Sequence, residues 1–343
     1  MSELGLPYVM AALLALSLNT YVLFGGADFG GGVWDLFASG PRRSRQREVI
    51  ALALGPIWEA NHVWLIFAIV LTFTCFPPVA ARLGTVLHIP LTLMLIGIVL
   101  RGSAFIFRTY DSQRDATQRR WGRIFASASV ITPILLGVSI GAVASGRVGQ
   151  ETTGGFVPQY VEPWLTPFAF SVGLLALALF AFLAAVFLTL ETHDHDLCED
   201  FRRRALGSGI AVFLTSALAL VLSRGQAPLV MAGLMASPWA LPLHLATGIT
   251  AIAVLAALWF RRFRLARMGA GLQVSLIFWG WALAQFPLLI PPGFTIEDSA
   301  APHSTLRALL IAIGFGAIVL VPSLWYLFQI FKSVPADSGA RQP

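Results

Sequence analysis

At 343 residues, 57% of them hydrophobic and only 12% charged, the chain lacks the polar surface of a water-soluble fold, which carries roughly 25% charged residues. A mean hydropathy of +0.77 places it in lipid, and the pI near 10.0 does not indicate nucleic acid. The positive charge is nearly all arginine, lies in short loops between apolar stretches, and so reads as membrane topology.

Nine stretches are long enough to cross a bilayer at roughly 20 residues each: 7–37, 49–76, 79–108, 121–145, 163–191, 204–223, 238–260, 265–290 and 305–331. Residues 1–6 carry no basic leader and the apolar run continues past signal-peptide length, so the first stretch is expected to be a retained helix. The expected fold is an all-α integral membrane protein, a single polytopic domain over 1–343. Eight helices suit two four-helix bundles, with the ninth added beside them.

Orientation follows from charge. Alternate loops and the C-terminus hold Arg42, Arg43, Arg45 and Arg47, then Arg108, Arg114, Arg119, Arg120 and Arg123, then Arg202 to Arg204, then Arg261, Arg262, Arg264 and Arg267, then Lys332 and Arg341. Eighteen of the 23 cationic residues are on that side, against Arg82, Arg147, Arg224 and Arg307 on the other. This predicts an external N-terminus and a cytoplasmic C-terminus, with Cys75 outside and Cys198 inside and no disulfide between them. Trp34, Trp121 and Trp259 near the inner ends and Trp164 and Trp239 near the outer ends agree.

Few residues inside the spans are charged. The first span ends GGADFGGGVWD at 25–35, with five glycines around Asp28 that allow close backbone approach. Asp35 falls at the cytoplasmic surface, where solvation suffices for it. Asp28, about 10 Å deeper by helical rise, needs a partner. The second span contains GPIWEANHVWLI at 55–66, which puts Trp58, Glu59, Asn61, His62 and Trp64 into an otherwise apolar segment. A carboxylate at that depth marks a proton or ion route, or else a buried helix–helix hydrogen bond. The third span carries RGSAFIFR at 101–108; Arg108 can snorkel inward, whereas Arg101 matches Asp28 in depth and could meet it.

Of the six histidines only His62 is deep, so two facing haem ligands are not available from this chain. The run ETHDHDLCED at 191–200 has metal-ligand residue types but reads as a solvated charged loop, and no metal site is expected. Gly30 to Gly32 follow no strand, so no phosphate loop is inferred.

These motifs resemble subunit II of the bacterial cytochrome bd-type quinol oxidases. The resemblance rests on ADFGGGVWDL at 27–36, GPIWEANHVWLI at 55–66, RGSAFIFR at 101–108 and PHSTLRALL at 302–310, and it covers the whole chain. It implies a multi-pass protein of the bacterial plasma membrane. It also implies a partner subunit I that holds two b-type haems and one haem d, oxidises quinol and reduces oxygen to water, and it allows a small accessory subunit. This chain would be the haem-free member. The resemblance assigns Glu59 to a proton route, with His62 and Asp28 beside it, and Trp58, Asp28 and Arg101 to a structural quinone. Many relatives have aspartate where Glu59 stands, and glycine where Ala60 stands. A polytopic transporter or channel using Asp28, Glu59 and Arg101 is the rival reading, and a scaffold whose buried charges fix helix register is a third.

Overall fold

The computed structural model describes residues 5–54, 58–110, 115–152 and 154–332; within its helices, the side chains of 58–60, 108–110, 115–119 and several positions from 321 onward lie outside the description. Thirteen helices follow in order among the described residues. The first half comprises α1 (Leu6–Leu36), α2 (Arg43–Leu54), α3 (Trp58–Cys75), α4 (Pro77–Val86), α5 (His88–Tyr110) and α6 (Asp115–Ala144). After the short α7 (Phe156–Tyr160), the second half comprises α8 (Pro167–Leu188), α9 (His195–Gln226), α10 (Pro228–Ala236), α11 (Ala240–Trp259) and α12 (Phe263–Gln285). A two-stranded hairpin, β1 (Leu288–Ile290) with β2 (Phe294–Thr295), precedes α13 (His303–Lys332).

The nine expected spans are met in part. Among the described residues seven helices are long and apolar enough to cross a membrane (α1, α5, α6, α8, α9, α11 and α13), or eight if the bent pair α3 and α4 counts as one. The stretch 49–76 is realised as α2 and α3, with 55–57 outside the described residues. The stretch 79–108 is no single helix, because α4 turns 116° away from α3 and α5 begins only at His88. Pro77 and Pro78 cause the break: proline has no N–H to donate and restricts the preceding residue, and Phe76 adopts φ −133, ψ 62. The α12 helix is long enough at 23 residues, but Arg264, Arg267, Gln273 and Gln285 lower its apolarity. Residues 288–290, expected at the end of that span, form β1 instead.

The break in α3 recurs in α9. Ala227 has φ −142, ψ 61, nearly the Phe76 conformation, and Pro228 opens α10 as Pro77 opens α4. Helix contacts follow the same division. In the first half α1 packs on α3 and α6, and α5 on α6; in the second α8 packs on α9 and α12, and α11 on α12. The halves join through α1 and α6 against α8, while α13 packs on α1 and α3. Buried Tyr21, Phe29, Phe180, Leu183, Val254, Leu258 and Val274 form the shared core.

The arginine-rich loops gather at one end. Arg42 bonds Asp200, Arg204 reaches the Phe37 carbonyl and Arg202 the Leu258 carbonyl, tying the ends of α1, α9 and α11 together. At the opposite end Tyr8 donates to Glu297, Arg82 to the Val148 carbonyl, and the Ala301 N–H to the Cys75 carbonyl at 2.7 Å. That last bond satisfies a carbonyl the α3 break would otherwise orphan, which lipid cannot do. Cys75, expected at the outer surface, is fully buried.

Candidate functional site: a buried ion pair between α1 and α5

Asp28 and Arg101, matched in depth by the sequence, meet in the first bundle. Arg101 Nη1 donates to Asp28 Oδ2 at 2.7 Å and Nη2 to Oδ1 at 2.8 Å. Nη2 also reaches the Asp28 carbonyl at 3.0 Å, and Nε donates to Ser129 Oγ of α6 at 3.0 Å. Ser129 in turn donates to the Phe125 carbonyl one turn back, at 2.7 Å. The guanidinium lies over two rings, 4.8 Å from the centroid of Phe29 and 4.9 Å from that of Phe125. Both charged side chains are at most 3% exposed. In so dry a setting a bidentate, fully hydrogen-bonded pair is the arrangement that offsets desolvation. The aromatic faces add cation–π attraction.

The glycines around Asp28 let two helices come close. A Cβ on Gly30 would run into the Phe180 carbonyl and come within 2.7 Å of the Ala184 Cβ of α8. A Cβ on Gly32 would strike Ser129, so this glycine admits the hydroxyl that holds Arg101 Nε.

His62 of α3 also packs against Phe29. Its ring is edge-on to Tyr21 at 6.1 Å and to Phe29 at 6.0 Å between centroids. Asn61 beside it is buried, and Ser17 of α1 donates to the Trp64 carbonyl at 2.7 Å, fixing α3 against α1. Trp58 and Glu59 occupy the first turn of α3, but their side chains lie outside the described residues. The structure thus brings together Asp28, Arg101 and, one aromatic ring away, His62. Ser129, Phe29 and Phe125 complete the site and were not singled out from sequence. Their signal is weak: Phe125 and Ser129, four apart, share one face of α6 in an ordinary small-residue stretch.

Two other expectations change. Asp35 is buried at 2% exposure, with Arg47 3.8 Å from its carboxylate and bonded to its main-chain carbonyl, so solvation does not account for it. The acidic run at 191–200 is not a loop throughout. Asp194 caps α9 by accepting from the N–H groups of Asp196 and Leu197, and the residues after it are helical. Arginines engage its carboxylates: Arg45 on Asp194 at 2.7 Å, Arg42 on Asp200 at 2.8 Å, Arg202 on Glu199 at 2.7 Å and Arg267 on Glu191 at 3.3 Å. The backbone N–H bonds, with Arg45 and Arg42 nearby, hold the Asp194 carboxyl below its ordinary range. No group of three or more potential metal ligands is placed together among the described residues.

His88 and His244 each have a ring nitrogen against a nearby main-chain carbonyl, at Thr85 and Ala240. Arg101 engages Asp28 and Ser129 through three nitrogens.

Comparison with known proteins decides the family. A family model described as "Cytochrome bd terminal oxidase subunit II" matches residues 6–331. The chain belongs to this family. It is 24% identical over 339 residues to the cytochrome bd ubiquinol oxidase subunit 2 of Bacillus subtilis, covering 94% of this chain and 95% of that one. It is also 24% identical to the cytochrome bd-I ubiquinol oxidase subunit 2 of Escherichia coli K12, over 54% of this chain and 49% of the relative. Its fold is similar to a chain of the bd oxidase from Geobacillus thermodenitrificans, with a TM-score of 0.80, 24% identity, and coverage of 95% and 98%. As a subunit II family member with several apolar membrane-length helices, it is a multi-pass protein of the bacterial plasma membrane.

Proposed function

We propose that this chain is the haem-free subunit of a quinol:oxygen oxidoreductase, assembled with a haem-bearing subunit I that oxidises quinol and reduces oxygen to water. The family match along 6–331 carries the reading. The relatives' names supply the quinol, and the single deep histidine packed between Tyr21 and Phe29 supports placing the haems, two of type b and one of type d, in the partner. The charge asymmetry supports an external N-terminus and a cytoplasmic C-terminus.

Within this subunit Glu59 carries protons from the cytoplasmic side, with His62, three residues on and on the same helical face, as the adjoining group. Asp28 contributes by holding Arg101, since both its carboxylate oxygens are engaged. A structural quinone with Trp58, Asp28 and Arg101 rests on the family resemblance.

Purification through a tag on this chain tests the assignment. Haem b and haem d absorption bands that co-purify, together with quinol-driven oxygen consumption, are the expected result. A colourless preparation that moves a solute across vesicles would replace this reading with the transporter.

A further inference from the structure

We propose that the turn between α11 and α12 is a binding site for the head group of an anionic phospholipid in the arginine-side leaflet. Seven arginines on that end face carboxylates of this chain: Arg42, Arg45, Arg47, Arg202, Arg203, Arg261 and Arg267. Arg262 and Arg264 do not; among the described residues both are exposed and neither has an acidic partner. They flank a corner whose apolar side chains are bare: Trp259 is 69% and Phe260 72% exposed, and Leu265 and Met268 are exposed as well.

Each part has a physical reason to select lipid. Tryptophan and phenylalanine at the last turn of a membrane helix sit at head-group level, where their rings contact acyl chains and glycerol. Unneutralised arginines at that level attract anionic head groups, and a guanidinium bonds phosphate oxygens in a bidentate manner. The Arg261 backbone is in the left-handed region at φ 58, and the Arg262 N–H bonds the Ala257 carbonyl at 2.7 Å, so the turn is closed tightly. Arg261 itself is drawn 3.5 Å from Glu199, and Arg267 sits over the Phe187 ring on its way to Glu191. The turn therefore commits two arginines to the protein and leaves two over. A phosphodiester with net negative charge complements that remainder; a zwitterionic choline lipid offers no net charge to it.

The experiment uses the intact oxidase complex, purified, delipidated and titrated with phosphatidylglycerol or phosphatidylcholine, with bound lipids counted by native mass spectrometry. The wild type is expected to take up phosphatidylglycerol in preference to phosphatidylcholine. R262Q/R264Q should weaken that uptake by about fivefold for each arginine lost, R262K/R264K should retain most of it, and salt should weaken it. Arg45→Gln, which removes an arginine already paired with Asp194, should leave it unchanged. Equal uptake of the two lipids by the wild type would overturn the site, as would undiminished phosphatidylglycerol uptake by R262Q/R264Q. Loss of the partner subunit from R262Q/R264Q with lipid uptake intact would make the corner a protein interface and equally overturn it.

Discussion

Arg101 grips Asp28 at three points, bridging its two carboxylate oxygens at 2.7 and 2.8 Å while also bonding its main-chain carbonyl at 3.0 Å. Side-chain and backbone of one residue are thus held by a single guanidinium, and α1 is pinned to α5 in rotation as well as in height.

Removing that grip should be severe. Arg101→Leu leaves a buried carboxylate unpaired, and loss of one member of such a pair destabilises by about 3–5 kcal/mol. The variant complex is expected to assemble poorly and melt earlier, with Asp28→Leu/Arg101→Leu recovering part of the loss. Equal melting temperatures for Arg101→Leu and wild type would show that the pair does not hold the bundle.

Gly30→Ala tests the close approach of α1 and α8. The new methyl would meet the Phe180 carbonyl and the Ala184 side chain, and overpacking of this kind destabilises by about 1–3 kcal/mol. Gly84→Ala, where a Cβ meets nothing within 4 Å, is the matched control and should be near neutral. Thermal unfolding followed by loss of the haem spectrum distinguishes the two.

For the proton role of Glu59, Glu59→Gln keeps shape and hydrogen bonding but cannot exchange a proton. Quinol-driven oxygen consumption should fall by about tenfold or more with haem content intact, within the range a positioned acid–base group contributes. Glu59→Asp should retain much of the rate. Full turnover in Glu59→Gln would reduce the residue to a packing contact.

Orientation is open to thiol labelling, with the burial of Cys75 taken into account. Cys75 should resist any reagent while folded, and half-buried Cys198 should react only once the membrane is permeabilised. Glu151→Cys, exposed at the opposite end, should react with an impermeant maleimide on intact cells. Labelling of Cys198 in sealed cells would invert the topology.

Asp194 links stability to pH. Its folded carboxyl is held below the ordinary range by the N–H groups it caps, so its contribution is fully present above about pH 4, near the unfolded carboxylate value, and fades as pH falls through the lower folded value. Asp194→Ala should lower the melting temperature at neutral pH and flatten its decline in acid. An acid limb as steep as wild type would assign the loss to other carboxylates.

The sequence revealed depth better than it revealed breaks. Asp28 and Arg101 could be matched because helical rise converts residue number into height, and an unpaired charge in lipid demands a partner. Which helix turned which face could not be read, because leucine and alanine recur on all sides; Ser129, Phe29 and Phe125 stayed hidden for that reason. Hydropathy also ran straight through Phe76-Pro77, since an average over a window does not register one proline, and it carried the eighth span into β1. The acidic run reads as a loop because its charges offset the helical signal that Asp194 initiates.

The break at Phe76 also bears on the surrounding lipid. α3 ends at Cys75 and α4 turns 116° aside rather than continuing outward. A helix that leaves the spanning direction runs along the bilayer surface, where it meets head groups more than acyl chains. The oxidase should therefore respond to head-group composition on that side.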